Sequence, residues 1–171
     1  MNTKMLQRLV DESDIRDVIH RYALSVDRKR WDELSSCFSE QIEADFTAAG
    51  IKKVFIGPRE QWIDGIKRSN NGMDATLHTL SNVRIRVNGD LATASCAFYV
   101  INILANPAGD SHYQVGGFYD FEFKRLAGEW RIAKYIGAMQ VRTGNPYIFK
   151  LAHSRSAKAS QAQGKTGADR S

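Results

Sequence analysis

Three side chains in this sequence have the types and placement to move a proton. In HRYALSVDRKRWDEL, residues 20–34, Tyr22 lies in the apolar stripe of a helical pattern, and Asp27 sits where that pattern breaks before Trp31. Farther on, TLHTLSNVRIRV puts His78 near the start of an alternating, strand-like run. An imidazole titrates near neutral pH, which suits a general base. A phenol can polarise a carbonyl or assist a departing hydroxyl. Each residue also has an ordinary reading: Tyr22 as a core tyrosine with a satisfied hydroxyl, Asp27 as the cap of a second helix, His78 as a surface histidine. One geometric condition separates the readings. On an unbroken helix Tyr22 and Asp27 stand about 140° apart, so they converge only if the helix ends near Val26 and the chain turns.

The elements that must position these residues follow from hydrophobic period. Residues 5–26 place Leu6, Leu9, Val10, Ile15, Val18, Ile19, Tyr22 and Val26 near a 3.6-residue repeat, with DESD at 11–14 as a cap or a bend. A short second helix presents Trp31, Leu34 and Phe38. IEADF and KKVFIG, joined by TAAGI, form a hairpin, and Pro58 opens a third helix with Trp62, Ile63 and Ile66 on its apolar face. From Thr76 the period becomes two: TLHTLSNVRIRV, the turn NGD, LATASCAFYVINIL, the turn NPAGD, SHYQVGGFYDFEFKR, then WRIAKYIGAMQVR. Helices first and a strand meander after argue an α+β fold, in which an antiparallel or mixed sheet of about six strands curls around three helices from the N-terminal half. Adjacent Gly116 and Gly117 inside a strand predict a bulge where such a sheet bends. A curved sheet over helices encloses a cone, which is either filled by side chains or open to a ligand. Phe98, Tyr99, Tyr113, Tyr119 and Met139 are candidate walls.

Bulk composition narrows the function classes. With 171 residues, 43% of them hydrophobic, the chain supports one domain, placed at residues 1–153. The stretch 154–171, SRSAKASQAQGKTGADRS, is polar and carries a net charge of +3, and composition predicts it to be disordered. Without it the formal +5 falls to 20 basic against 18 acidic residues, an ordinary solvated surface rather than a nucleic-acid footprint. The uncharged run 91–109 contains Ser, Thr, Asn and Pro and reads as a strand and turn, so no membrane span is expected. MNTKMLQRLVDESD has no signal-like apolar run, and Cys37 and Cys96 form no motif; both point to a cytoplasmic protein with reduced thiols. His20, His112 and His153 show no metal-ligand spacing, and no phosphate loop or nucleophile elbow occurs, so no metal or cofactor is expected.

The element order and several phrases resemble the SnoaL-like branch of the NTF2-like superfamily. The matching pieces are IRDVIHRYALSVDRKRWDEL, LHTLSNVRIRVNGDLATA, GFYDFEFKR and GEWRI, which fall within the stretch from residue 12 to about 142. The resemblance implies a cone-shaped α+β fold and cofactor-independent elimination or isomerisation of a hydrophobic small molecule, as in dehydratase and dehydrochlorinase members. It also implies roles. Asp27 would orient His78, His78 would remove a proton, and Tyr22 would hydrogen-bond the substrate. Asp27 would then hold one imidazole tautomer, and His78 would supply the partner that an ionised carboxylate in an apolar cavity requires.

The reading that results is a lyase, dehydratase-like, acting on an aromatic or polycyclic apolar molecule. His78, Asp27 and Tyr22 are its catalytic residues. Asn82, Tyr99, Tyr119, Arg142 and Trp31 are its substrate-binding candidates. An isomerase, a cyclase or a retro-aldol C–C lyase begins with the same deprotonation. A non-catalytic subunit, such as the β-type subunit of a ring-hydroxylating dioxygenase, is the competing class. Self-association as a dimer or trimer is expected, because the outer face of a large open sheet needs a cover.

Overall fold

A computed structural model of the chain describes residues 3–107 and 109–168. Helix α1 (Thr3–Asp27) is continuous through DESD and buries Ile15, Val18, Ile19, Tyr22 and Val26. It stops at Asp27 because Lys29 takes a left-handed backbone, φ 55°, and the amides of Lys29 and Arg30 close back on Val26 and Ser25. Helix α2 (Trp31–Ser36) is a short turn that buries Leu34. Phe38, expected on that helix, instead opens strand β1 (Phe38–Asp45), where its ring is fully buried. Strand β2 (Phe55–Pro58) pairs antiparallel with β1 as the expected hairpin, and helix α3 (Arg59–Asn70) begins directly after Pro58.

The meander follows as β3 (Ala75–Asn88), β4 (Leu91–Ile103), β5 (His112–Leu126) and β6 (Glu129–Gly144). The six-stranded sheet has the order β2-β1-β6-β5-β4-β3, antiparallel throughout except where β1 lies parallel to β6. The predicted mixed α+β cone is therefore observed, with α1 to α3 against its inner face. The register shifts between Gly116 and Gly117, as the glycine pair predicts. A side chain could not stand at Gly117: its Cβ would lie 2.0 Å from the Ala138 carbonyl oxygen.

Two further bulges reverse which side chains face inward. Between Ser81 and Arg84 the ladder skips, with Asn82 left-handed at φ 55°. His78 and Leu80 face in before it. Val83, Ile85 and Val87 face in after it, so Arg84 and Arg86 point out rather than along the face of His78. A second shift at Glu122–Phe123, opposite Ile132 and Lys134, turns Tyr135 inward in β6.

Composition placed residues 154–171 outside ordered structure. Helix α4 (Ile148–Ala168) corrects that for 154–168, while 169–171 lie outside the described residues. Its first turns are anchored by Ile148 and Ala152, which pack with Met73 and Leu104 in a satellite cluster, and a docked turn lets Ala, Lys, Gln and Arg propagate a helix. Among the described residues no helix is long and apolar enough to cross a membrane.

Candidate active site

The end of α1 and the start of β3 meet around one carboxylate. His78 Nδ1 lies 2.6 Å from Asp27 Oδ1, the His78 backbone N–H donates to Oδ2 at 2.8 Å, and the Thr76 hydroxyl donates to Oδ1 at 2.9 Å. The side chains of His78 and Asp27 are only 9% and 11% exposed. A carboxylate accepts and does not donate, so it draws the imidazole proton to Nδ1. Nε2 is left as the basic nitrogen, with no hydrogen bond from the protein among the described residues. Asp27 does not cap α2: the residue at that helix's N-cap is Arg30, and no side chain caps it. Thr76, two residues before His78 on the same side of β3, was a partner the alternation could have revealed.

Tyr22 enters this site from the previous turn of α1 through its ring, which stands edge-on to His78 with centroids 6.3 Å apart. Its hydroxyl bonds the Tyr135 hydroxyl at 2.7 Å, and the ring of Tyr119 lies 5.0 Å from that of Tyr135 and 6.3 Å from that of Tyr22. Burial pushes the Tyr22 and Tyr135 phenols well above their ordinary range and Tyr119 up to about 12. All three stay protonated at working pH and so remain donors. Tyr135 was missed because strict alternation from Trp130 points it outward; only the bulge brings it in.

The other candidates divide. Tyr119 is buried and stacked on Phe98 at 3.9 Å, inside the cone. Trp31 is half-buried against the core, as are Tyr113 and Met139. Tyr99 is 40% exposed on the opposite face of β4, where its hydroxyl donates to Gln114, because the even-numbered residues of that strand face inward. Asn82 is exposed at its bulge, and Arg142 is exposed near the end of β6, donating to the Ala48 carbonyl. None of these three reaches the His78–Asp27 pair.

The interior beside the pair is aromatic and closely packed. Tyr135 stacks on Phe121 at 5.0 Å, Phe46 meets Tyr135 edge-on at 4.9 Å, and the Trp62 ring lies 5.6 Å from Phe46 and 5.7 Å from Phe55. The partly buried Phe46, Trp62, Leu80 and Met139 border this core. Among the described residues no group of three His, Cys, Asp or Glu side chains is placed to hold a metal ion. Cys37 and Cys96 are buried free thiols, which burial pushes up to about 11.

The sequence matches the SnoaL-like domain over residues 7–136. The chain belongs to that family. An uncharacterized protein of Mycobacterium tuberculosis is 27% identical over 131 residues, covering 74% of this chain and 83% of that protein. A Kribbella flavida protein of known structure superposes with a TM-score of 0.78 at 22% identity, over 84% of this chain and 99% of that one. The type 3 hexachlorocyclohexane dehydrochlorinase of Novosphingobium barchaimii gives a TM-score of 0.70 at 20% identity, over 82% and 94%. At these identities the two solved structures establish the fold of this SnoaL-like chain and nothing finer.

Proposed function

We propose that this SnoaL-like protein catalyses a cofactor-independent elimination, dehydratase-like, on an apolar aromatic or polycyclic molecule. The observation that carries the reading is the 2.6 Å contact of His78 Nδ1 with Asp27, which leaves Nε2 free as a base. Nε2 takes a proton from a carbon acidified by a neighbouring carbonyl or aromatic system. The C–H electron pair becomes the new double bond, the C–O bond breaks, and the imidazolium returns its proton to the departing hydroxide as water. Asp27 stabilises that imidazolium, and the neutral phenol of Tyr22, held by Tyr135, donates toward oxygen as charge builds on it. A dehydrochlorinase on the same fold supports an elimination. Isomerisation and retro-aldol cleavage share the first step.

The test is proton washout. Cyclic aryl ketones such as 2-tetralone are incubated with the protein in D₂O, and loss of the α-proton signal is followed by NMR. The wild-type protein should accelerate exchange, and His78→Ala should lower that acceleration by about 10²–10⁴-fold while remaining folded. Equal exchange in both proteins contradicts the reading. The dense aromatic packing of the cone favours a second reading, a non-catalytic module, and an inert wild-type protein across the ketone series would decide for it.

A further inference from the structure

Helix α4 lies beyond residues 7–136, the stretch that matches the SnoaL-like domain, and it is fastened to one short segment beside the site. That segment is the turn at residues 71–74, which joins α3 to β3 just ahead of Thr76 and His78. Strand β3 is an edge of the sheet with β4 as its ladder partner, so its other side needs different anchors. At the site the anchor is Asp27, through the backbone N–H of His78. The turn before it has two more. Lys29, two residues beyond Asp27, donates its ammonium to the carbonyls of Met73 at 2.8 Å and Asn71 at 3.5 Å. From α4, Arg155 donates Nη1 to the Asp74 carboxylate and to the Gly72 carbonyl at 3.2 Å, and Nη2 to the Ala105 carbonyl at 3.3 Å. The other oxygen of Asp74 accepts the Ala105 N–H at 2.7 Å. One guanidinium thus ties the start of β3 to the chain leaving β4. The fit of helix on turn is close: a side chain at Gly72 would put its Cβ 2.0 Å from the Ala152 carbonyl oxygen. Where α3 ends, the Ser69 hydroxyl meets His153 Nε2 at 3.1 Å.

We propose that Arg155 is a positioning residue for His78, and that α4 is a strap holding the start of β3 against the end of α1. The proposal rests on the reading of His78 as the base. The 2.6 Å contact of His78 Nδ1 with Asp27 joins a helix terminus to an edge strand, two kinds of element that open readily. Asp27 makes three hydrogen bonds to β3, but all of them end on one carboxylate. The strand can pivot about that carboxylate, keep its bonds and still swing Nε2 off line. Arg155 and Lys29 hold the chain a few residues away and remove the pivot. The Arg155–Asp74 pair is itself half exposed, at 48% and 41%, so it adds little to stability. Its effect is on orientation. A displacement of about 1 Å at a reacting group, caused from outside the site, costs up to about 10²-fold in rate.

Imidazole NMR on the full chain tests this, with proton washout beside it. The His78 Nδ1–H resonance should lie far downfield in the wild type, as a short bond to a carboxylate requires, and Arg155→Ala should move it upfield. Washout should fall about tenfold, in kcat rather than KM, because the base moves and the binding surface does not. Urea unfolding should place this variant close to wild type. Arg155→Lys, which keeps a cation beside Asp74, should restore most of the resonance position and of the rate. Gly72→Ala pushes on the Ala152 backbone without removing any side chain and should reproduce the Arg155→Ala spectrum. Where Gly72→Ala does not fold, Arg155→Ala carries the test. A folded Arg155→Ala protein with the wild-type His78 resonance overturns the proposal, whatever its washout rate. So does an Arg155→Lys spectrum no closer to wild type than that of Arg155→Ala. A wild type inert toward the ketones sinks the elimination alone, since the spectrum needs no substrate.

Discussion

Helix α1 carries two nearly buried carboxylates, and the partners they hold differ in kind. Asp11, 3% exposed, is gripped by both terminal nitrogens of Arg125 at 2.7 and 2.8 Å, and it also accepts from the Trp130 indole at 3.3 Å and Gln7 at 3.2 Å. The Arg125 guanidinium itself lies 4.3 Å above the Trp130 ring. Nothing there is left over to react, since arginine never gives up its proton at working pH and each carboxylate oxygen is occupied. Asp27 also accepts from several donors, but one belongs to an imidazole whose far nitrogen is unused. The same residue type on the same helix serves as a lock with a permanent cation and as a tuning group with a titratable one.

Breaking the two carboxylate sites should therefore give opposite phenotypes. The largest effect falls on proton washout. Asp27→Asn should lower it at least about 10²-fold, since an amide can present N–H to the imidazole and favour the wrong tautomer. Thermal unfolding should place that variant close to wild type. Asp11→Ala should do the reverse, lowering stability by about 3 kcal/mol because Arg125 and Trp130 lose their acceptor, with washout per folded molecule unchanged. Urea unfolding together with the washout assay separates the two outcomes.

The acid limb sharpens the contrast. The Arg125 guanidinium, helped by Gln7 and Trp130 and opposed by burial, holds the Asp11 carboxyl below the usual carboxylate range. A depressed folded-state value contributes stability above the unfolded value of about 4, and that stability is lost as pH falls through the folded value. Melting temperatures of wild type and Asp11→Asn should differ at neutral pH, and the gap should narrow as pH falls below the unfolded carboxyl value of about 4. A constant gap down to pH 2 would remove Asp11 from the account of acid sensitivity. The smallest effect belongs to Tyr135→Phe, which removes one buried hydroxyl from the 2.7 Å contact with Tyr22. It should cost about 1 kcal/mol in urea unfolding and reduce washout by less than about tenfold.

Much of this arrangement was legible in the sequence, and what was not has a common cause. The element order, the hairpin turns and the Gly116–Gly117 bulge follow from period and turn chemistry. The meeting of Asp27 with His78 came from residue types and family resemblance rather than spacing. The errors come from parity. A strand read by strict alternation assigns every side chain a face, and one extra residue reverses all those beyond it. Asn82 does this in β3, sending Arg84 and Arg86 outward, and the shift opposite Phe123 does it in β6, bringing in Tyr135. Glycine pairs announce a bulge; neither of these contains one. Tyr99 fell on the wrong face for a simpler reason: β4 is apolar on both sides around it, so composition could not choose. The Asp11–Arg125 lock joins residues 114 positions apart, and no local pattern marks it.

The central claim, that Asp27 holds His78 with its outer nitrogen free, is tested most directly by long-range ¹H–¹⁵N correlation spectra of the imidazole. Wild type should show the His78 ring protonated at Nδ1 and bare at Nε2 above neutral pH, and Asp27→Asn should lose that tautomer preference. A wild-type ring protonated at Nε2, or a spectrum unchanged by Asp27→Asn, would contradict the account.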